Sequence, residues 1–373
     1  MILAIDTSCD ETSVSVVEGR KVMSNVIASQ VELQKKYGGV YPTEAKRQHE
    51  KVIDAVINEA MLKAKTSWNQ IETIAVTAGP GLAPALEVGI AKAKDLANKN
   101  RKEIVGINHM EGHLLSCLAR NSKNRGLYES NLVEIESVEF PVLGLLVSGG
   151  HSEIVLVNDI GCYEIIGKTL DDACGECLDK AARMMGLGYP GGAIIEQFAK
   201  KGKKGSIKLP IPMRNSGDMN MSFSGLKTAV LYEIRAQEKG TRKIEKGKDT
   251  MVKDLQWGKQ NLEQQYIYNL CLAVQTAVIV SLLEKLEMAI KKYQPSWIWL
   301  GGGVGVNKAL RLKLRKLANK YGIKLGLPYS KKLYGDNAAM IGVAASLGSQ
   351  KKRKWKNQTV ERIPRWSLDQ GMV

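Results

Sequence analysis

Two strand-like runs, about 140 residues apart, each break into a short turn of small and polar residues and then return. Met1–Ile5 enters Asp6-Thr7-Ser8-Cys9-Asp10-Glu11-Thr12-Ser13 and comes back through Val14–Val17. Val142–Val147 enters Ser148-Gly149-Gly150-His151-Ser152 and comes back through Glu153–Val157. A third run, Trp297–Leu300, ends in Gly301-Gly302-Gly303-Val304-Gly305-Val306-Asn307 and leads into a basic helical segment, Lys308–Tyr321. A repeated hairpin predicts two lobes, each seeding its own sheet. A length of 373 residues agrees, since single cores stop growing well before that size. Helical periodicity over Glu44–Lys65, Leu86–Asn98, Gly112–Ala119, Cys177–Met185 and Leu262–Tyr293 makes the class α/β.

The expected division is an N-terminal lobe over 1–119, a polar insertion over 120–139 and a C-terminal lobe over 140–348. The C-terminal lobe carries a lysine-rich insertion at 237–261, and a basic tail follows at 349–373. The tail opens with Lys351-Lys352-Arg353-Lys354-Trp355-Lys356, which reads as a solvated arm or as a nucleic-acid contact. The longest apolar run, Leu270–Leu283, contains Gln275, Thr276 and Ser281 and reads as a buried helix too short to span a bilayer. Met1–Ile5 meets Asp6 at once, unlike a signal peptide, so a cytoplasmic protein with no membrane association is expected. Six scattered cysteines do not form a disulfide framework, and Cys174-Gly175-Glu176-Cys177, with no second pair, is read as structural. Net charge is +16, which serves solubility or a polyanionic partner whose counterions binding would release.

Chemistry concentrates in few places. Four histidines occur, and His109 and His113 stand four apart, on one face of a helix, where two imidazoles can share one metal ion. Metalloproteases need glutamate directly after the first histidine; Met110 is there instead, and Glu111 points off the shared face. A third ligand must come from elsewhere. Asp336, one acid among 38, precedes a small-residue helix and on that ground reads as its N-cap, with metal ligation as the alternative. The turns Ser148-Gly149-Gly150-His151 and Gly301-Gly302-Gly303 suit phosphate, because glycine lets backbone N–H groups approach anions closely. Together with the acidic turn Asp6–Ser13 they match the nucleotide cleft of the actin-like ATPase (ASKHA, ribonuclease H-like) fold, a duplicated two-lobed architecture.

An ordered set of segments resembles one family over Met1 to about Gly348: Ile5–Thr12, Thr77–Leu82, Asn108–His113, Val147–His151, Tyr189–Gly192, Met221–Thr228, Gly301–Val304 and Gly335–Asn337. The chain resembles the TsaD family, the tRNA N6-adenosine threonylcarbamoyltransferases once called O-sialoglycoprotein endopeptidases. The Met221–Thr228 run looks like the bacterial and organellar branch. The resemblance implies a divalent metal, iron or zinc, on His109, His113 and Asp336. It implies that Leu146, Val147, Ser148, Gly149 and Gly150 cradle the phosphate of threonylcarbamoyl-AMP. Asp179 and Glu196 would hold the ribose, with Gly192 against the nucleoside and Asn307 near the base. Glu196 replaces the aspartate of many relatives, and the Pro42–His49 stretch keeps Arg47 and His49 but differs at Thr43 and Lys46.

The implied reaction is metal-assisted acyl transfer to the N6 amine of the adenosine 3′ of the anticodon, in tRNAs reading codons that start with A, with AMP released. Glu11 is the candidate for proton handling. TsaB-like and TsaE-like proteins are the implied partners beside tRNA. Three other readings stand against this: a small-molecule kinase of the same fold, which has no use for the two histidines, a metalloprotease, and a non-catalytic scaffold.

Overall fold

The computed structural model describes residues 1–35, 39–122, 135, 138–238, 263–350 and 360–370. Most of the polar insertion, the basic insertion from residue 239 to 261, and residues 351–359 and 371–373 of the tail lie outside the described residues.

The duplicated hairpin is real, and the duplication extends to the whole sheet. In the first lobe β1 (Ile2–Asp6), β2 (Glu11–Glu18) and β3 (Lys21–Ser29) form an antiparallel meander. β4 (Thr73–Gly79) and β5 (Glu103–Asn108) add in parallel on the free side of β1. The second lobe repeats this with β7 (Val142–Val147), β8 (Ser152–Asp159) and β9 (Cys162–Lys168), then β10 (Trp297–Gly301) and β11 (Lys324–Gly326) in parallel beside β7. The strand orders are therefore β5-β4-β1-β2-β3 and β11-β10-β7-β8-β9. The start of the expected polar insertion pairs with the sheet: β6 (Arg120–Asn121) lies parallel to Lys21–Val22 at the β3 edge.

The central strands β1, β4, β7 and β10 are covered on both faces and are apolar on both sides, while β3 and β9 are partly exposed. Alternation sorts them by face. Leu3 and Ile5 of β1 join an outer core with α2 (Pro42–Ala64) and α3 (Ala83–Asn100), while Ala4 faces the other lobe. Leu143, Leu145, Ile298 and Leu300 face an outer core with α5 (Cys174–Met184), α6 (Gly191–Ala199), α7 (Ser224–Glu238), α8 (Gln264–Tyr293) and α9 (Lys308–Lys320). α1 is a single turn, Val31–Gln34. Leu146, Trp297 and Trp299 face inward, onto α4 (His109–Leu115) and α10 (Ala338–Gln350), which fill the space between the sheets.

Three sequence expectations change. α10 falls within the stretch assigned to the second lobe, yet it packs on β1 and β2 of the first. Its run Ala338–Leu347 has no polar face and needs cover on every side, which the gap between two sheets provides. The tail is not a free arm over residues 360–370: Val360, Trp366 and Leu368 are buried, and Ile363 N–H donates to Ala78 O at 2.7 Å. The run around Leu270–Leu283 belongs to a helix of 30 residues, long and apolar enough to cross a membrane by length and composition. It is the central helix of the second lobe instead, and its Lys285 is buried with Nζ bonded to Ser216 Oγ and Asp218 O.

Candidate active site

The site lies where the strands end between the lobes. Asn108, the last residue of β5, caps α4: its Oδ1 accepts from the N–H groups of Met110 and Glu111 at 2.9 and 3.3 Å. The cap starts the helix at His109, so His109 and His113 share a face one turn apart, with ring centroids 4.6 Å apart. Glu111 leaves on another face and accepts from Tyr163 Oη at 2.7 Å.

Asp336 is not a helix cap. Asn337 takes that role, its Oδ1 accepting from Met340 N–H at 3.2 Å while its Nδ2 donates to Gly335 O. Relieved of capping, Asp336 turns its Oδ1 to His113 Nε2 at 3.1 Å and His109 Nε2 at 3.4 Å. The possible ligand atoms of these three residues all lie within 4.8 Å of one another. Ligands about 2.1 Å from a shared ion stand about 3.0–3.5 Å apart, so the two Asp336–histidine separations suit one divalent ion. The charges agree. Burial opposes protonation of His109, but the Asp336 and Asp6 carboxylates prevail and push it up to about 10, so the surroundings of this imidazole favour positive charge. His113 is lowered by burial and by His109. Asp336 retains some exposure where the histidines have little or none, so the cluster opens toward the cleft.

That cleft has a volume of 510 Å³ and runs between the lobes. Ser8–Glu11 and Pro80–Leu82 line it from the first lobe; Ser148–His151, Asp179, Gly192, Glu196, Gly303, Val304, Val306 and Asn307 line it from the second. The Ser148–His151 turn is tight, with Ser148 N–H donating to His151 O and His151 N–H donating to Ser148 Oγ. Gly149 and Gly150 are exposed at its tip. α5 is anchored against it, Gly175 N–H donating to Ser148 O at 3.2 Å, so the positive end of that helix faces the turn. Gly302, at φ +89°, passes so close to Val147 that a β-carbon there would collide with the Val147 carbonyl.

Several expected contacts are differently placed. Leu146 and Val147 are fully buried and do not line the cleft; they position the turn from within β7. Asn307 lines the cleft, but its amide is already used, Oδ1 capping α9 at Leu310 N–H and Nδ2 donating to Gln275 Oε1. Asp179 spends Oδ1 on Gly191 and Gly192 N–H at the start of α6. Glu196 accepts from Lys308 N–H through Oε1. Glu11 lines the same cleft, accepts from Ser29 Oγ at 3.2 Å, and is pushed up to about 10 by burial, Asp10 and Asp336. Tyr189 and Pro80 line the cleft without having been assigned there from sequence, and His151 lines it as part of the glycine turn. His151 is pushed down to about 4 by burial and the two other histidines. Cys174 and Cys177 are buried in the second-lobe core, with Cys177 Sγ donating to Phe223 O, a structural pair.

A family model described as tRNA N6-adenosine threonylcarbamoyltransferase (TsaD) matches residues 21–343. The chain belongs to the TsaD family. Relatives bearing that name include those of Trichlorobacter lovleyi, 40% identical over 99% of this chain and 97% of its own. The protein of Clostridioides difficile is 42% identical over 92% and 91%. Among solved structures, HypF of T. kodakarensis matches 94% of this chain and 47% of its own with a TM-score of 0.56 at 13% identity. That likeness shows the fold: the chain spans about half of HypF and has the two-lobed actin-like architecture.

In this TsaD chain the stretch ending at His49 supports the acidic turn. The Cys9 carbonyl can only accept, so His49 Nε2 donates to it at 3.1 Å, and Nδ1 accepts from Thr12 Oγ1 at 2.8 Å. Burial lowers the His49 pKa below its ordinary 6.5. A base held neutral in the fold stabilises fully above 6.5, and this contribution is lost as pH falls toward the lowered value. Thermal melts from pH 7 to about pH 5 should show an acid-side loss of Tm that His49→Gln reduces. Equal slopes in the two proteins would contradict it.

Proposed function

We propose that this chain transfers the threonylcarbamoyl group of threonylcarbamoyl-AMP to the N6 amine of the adenosine 3′ of the anticodon, in tRNAs reading codons that begin with A. The observation that carries the reading is the convergence of His109, His113 and Asp336 at the cleft that the Ser148–His151 turn also lines. The nucleoside end of the adenylate runs toward Asp179, Gly192 and Glu196, each with one carboxylate oxygen or a glycine backbone at the cleft. Its phosphate sits at Gly149, Gly150 and the start of α5, where N–H groups and the helix end favour an anion. His109, His113 and Asp336 would hold iron or zinc, which would supply Lewis-acid polarisation of the carbonyl.

The amine attacks the carbamoyl carbon, the bond from that carbon to the phosphate oxygen breaks, AMP leaves, and the nitrogen gives up one proton. Adenine N6 is a poor nucleophile, so orientation by the cleft must supply much of the rate. Glu11, at the mouth of the acidic turn, is the residue assigned to move that proton, which it can take up once a cation on Asp336 offsets the negative charge that helps keep its carboxyl protonated. The net charge of +16 suits a tRNA substrate. TsaB-like and TsaE-like proteins in the cytoplasm complete the reading. A protease reading is disfavoured by Glu111, whose carboxylate is held by Tyr163.

Nucleoside mass spectrometry of tRNA from cells depleted of this protein tests the reading. Threonylcarbamoyladenosine should disappear and return with the wild-type chain but not with His109→Ala. An undiminished level in the depleted cells would overturn it.

A further inference from the structure

A second cavity, of 310 Å³, lies beside the active site against α9 and the residues after β11. Lys308, Arg311 and Arg315 of α9 form one wall, and Lys331 and Tyr329 come from the other. Among the described residues no acid lines it and none of these four cations is in an ion pair. Elsewhere on the surface, lysines and arginines do find partners, as Lys320 does with Glu287 and Arg214 with Glu284. Four unneutralised cations around one concavity repel one another, and an anionic ligand removes that cost.

The form of the charge selects the ligand. Positions 308, 311 and 315 are on one side of α9, and seven residues of helix extend about 10 Å. That is longer than one phosphate group and suits successive phosphodiesters. Arg311 stacks over the Tyr334 ring, Cζ 5.6 Å from its centroid, which fixes one guanidinium at the cavity wall. The half-exposed Leu312 and the Tyr329 side chain offer apolar and aromatic surface for ribose and base. Position also matters. Tyr334 in the wall is two residues before the ligand Asp336, and Lys308 follows Asn307, which lines the adenylate cleft. The chain thus joins this basic wall directly to a residue of the adenylate cleft and, through Tyr334, to the segment that carries a metal ligand.

We propose that this cavity is a docking site for the phosphate backbone of the substrate RNA, next to the nucleotide being modified. The inference rests on the tRNA-modifying reading above and adds to it the surface that holds the RNA. Arg311 supports Tyr334, so the test uses Arg315→Glu with Lys331→Glu, both exposed side chains. In the assembled enzyme, with purified threonylcarbamoyl-AMP, the double variant should raise KM for tRNA on the order of tenfold or more. kcat and KM for the adenylate should stay as in the wild type, and the dependence of log KM for tRNA on log salt should flatten by about one to two units. Fluorescence anisotropy with a labelled anticodon stem-loop, on the same assembly, should give the same loss of affinity without chemistry.

Unchanged KM and unchanged anisotropy in the variant would overturn the docking site and leave the transferase reading intact. Loss of free AMP or ADP binding with RNA affinity preserved would assign the cavity to a nucleotide and overturn it equally. A wild-type assembly that binds the stem-loop through these residues but forms no threonylcarbamoyladenosine would refute the transferase reading alone. One that neither binds RNA nor modifies it would refute both.

Discussion

Asp336→Asn is expected to yield a folded protein that retains no stoichiometric metal and has lost transfer activity by on the order of 100-fold or more. The substitution is nearly isosteric and the side chain is 22% exposed, so neither a cavity nor an overpacked core results. What changes is charge and ligand strength. Oδ1 is the atom both imidazoles approach, at 3.1 and 3.4 Å, and an amide oxygen there is a far weaker ligand. The readout independent of activity is thermal. A ligand at 100 times its Kd stabilises the native state by about 2.7 kcal/mol, so zinc or iron(II) should raise the wild-type Tm and leave the variant unmoved. Metal analysis showing one ion per chain in Asp336→Asn, with the same thermal gain as wild type, would place the ion elsewhere.

The pair of histidines was legible because i and i+4 on a helix is a purely local statement, and the Asn108 cap that starts the helix is in the sequence beside it. Asp336 was ambiguous for an equally local reason. An acid and an asparagine both precede the helix, either side chain can cap it, and only the three-dimensional position of His113 decides which is left over. The duplicated hairpin was legible because each copy is an apolar run broken by small residues. The helix after Asp336 was legible but its place was not, since Ala338–Leu347 is apolar all round and has no 3.6-residue stripe to say which sheet it meets. α6 and α7 were missed: α6 opens on Gly191-Gly192, poor helix formers held in place by Asp179 from another helix. The commitments of Asn307 and Glu196 to α9 are tertiary facts that no spacing within the chain could reveal.

The segment 360–370 was the least legible, having almost no regular structure of its own, and it supports the largest expected loss of stability. Trp366→Ala should cost about 3–5 kcal/mol, the range for removing a buried tryptophan. The indole is 5% exposed and belongs to the outer core of the first lobe with Val360. The backbone is held as tightly: Ile363 N–H donates to Ala78 O, and Gly81 N–H donates to Pro364 O at 3.1 Å. Gly79 has no side chain where the Ile363 carbonyl packs, and a β-carbon there would collide with it. By contrast the Arg362–Glu87 pair at 2.9 Å is about half exposed at both ends, so Arg362→Ala should cost less than about 1 kcal/mol.

The loss should also reach the metal. Trp366 O accepts from Asn108 Nδ2 at 3.3 Å, and the other atom of that amide, Oδ1, caps the helix that begins with His109. If the tryptophan no longer seats the segment, the amide of Asn108 is free to turn and the helix start loosens. Losing a group that orients a metal ligand in this way weakens metal binding by about 10–100-fold. Trp366→Phe, which keeps most of the apolar volume, should recover both properties in part. A destabilised Trp366→Ala protein with wild-type zinc affinity would mean that the segment supports the first lobe without orienting His109. Wild-type values for both would mean that residues 360–370 do not pack against β4 and Asn108 in solution.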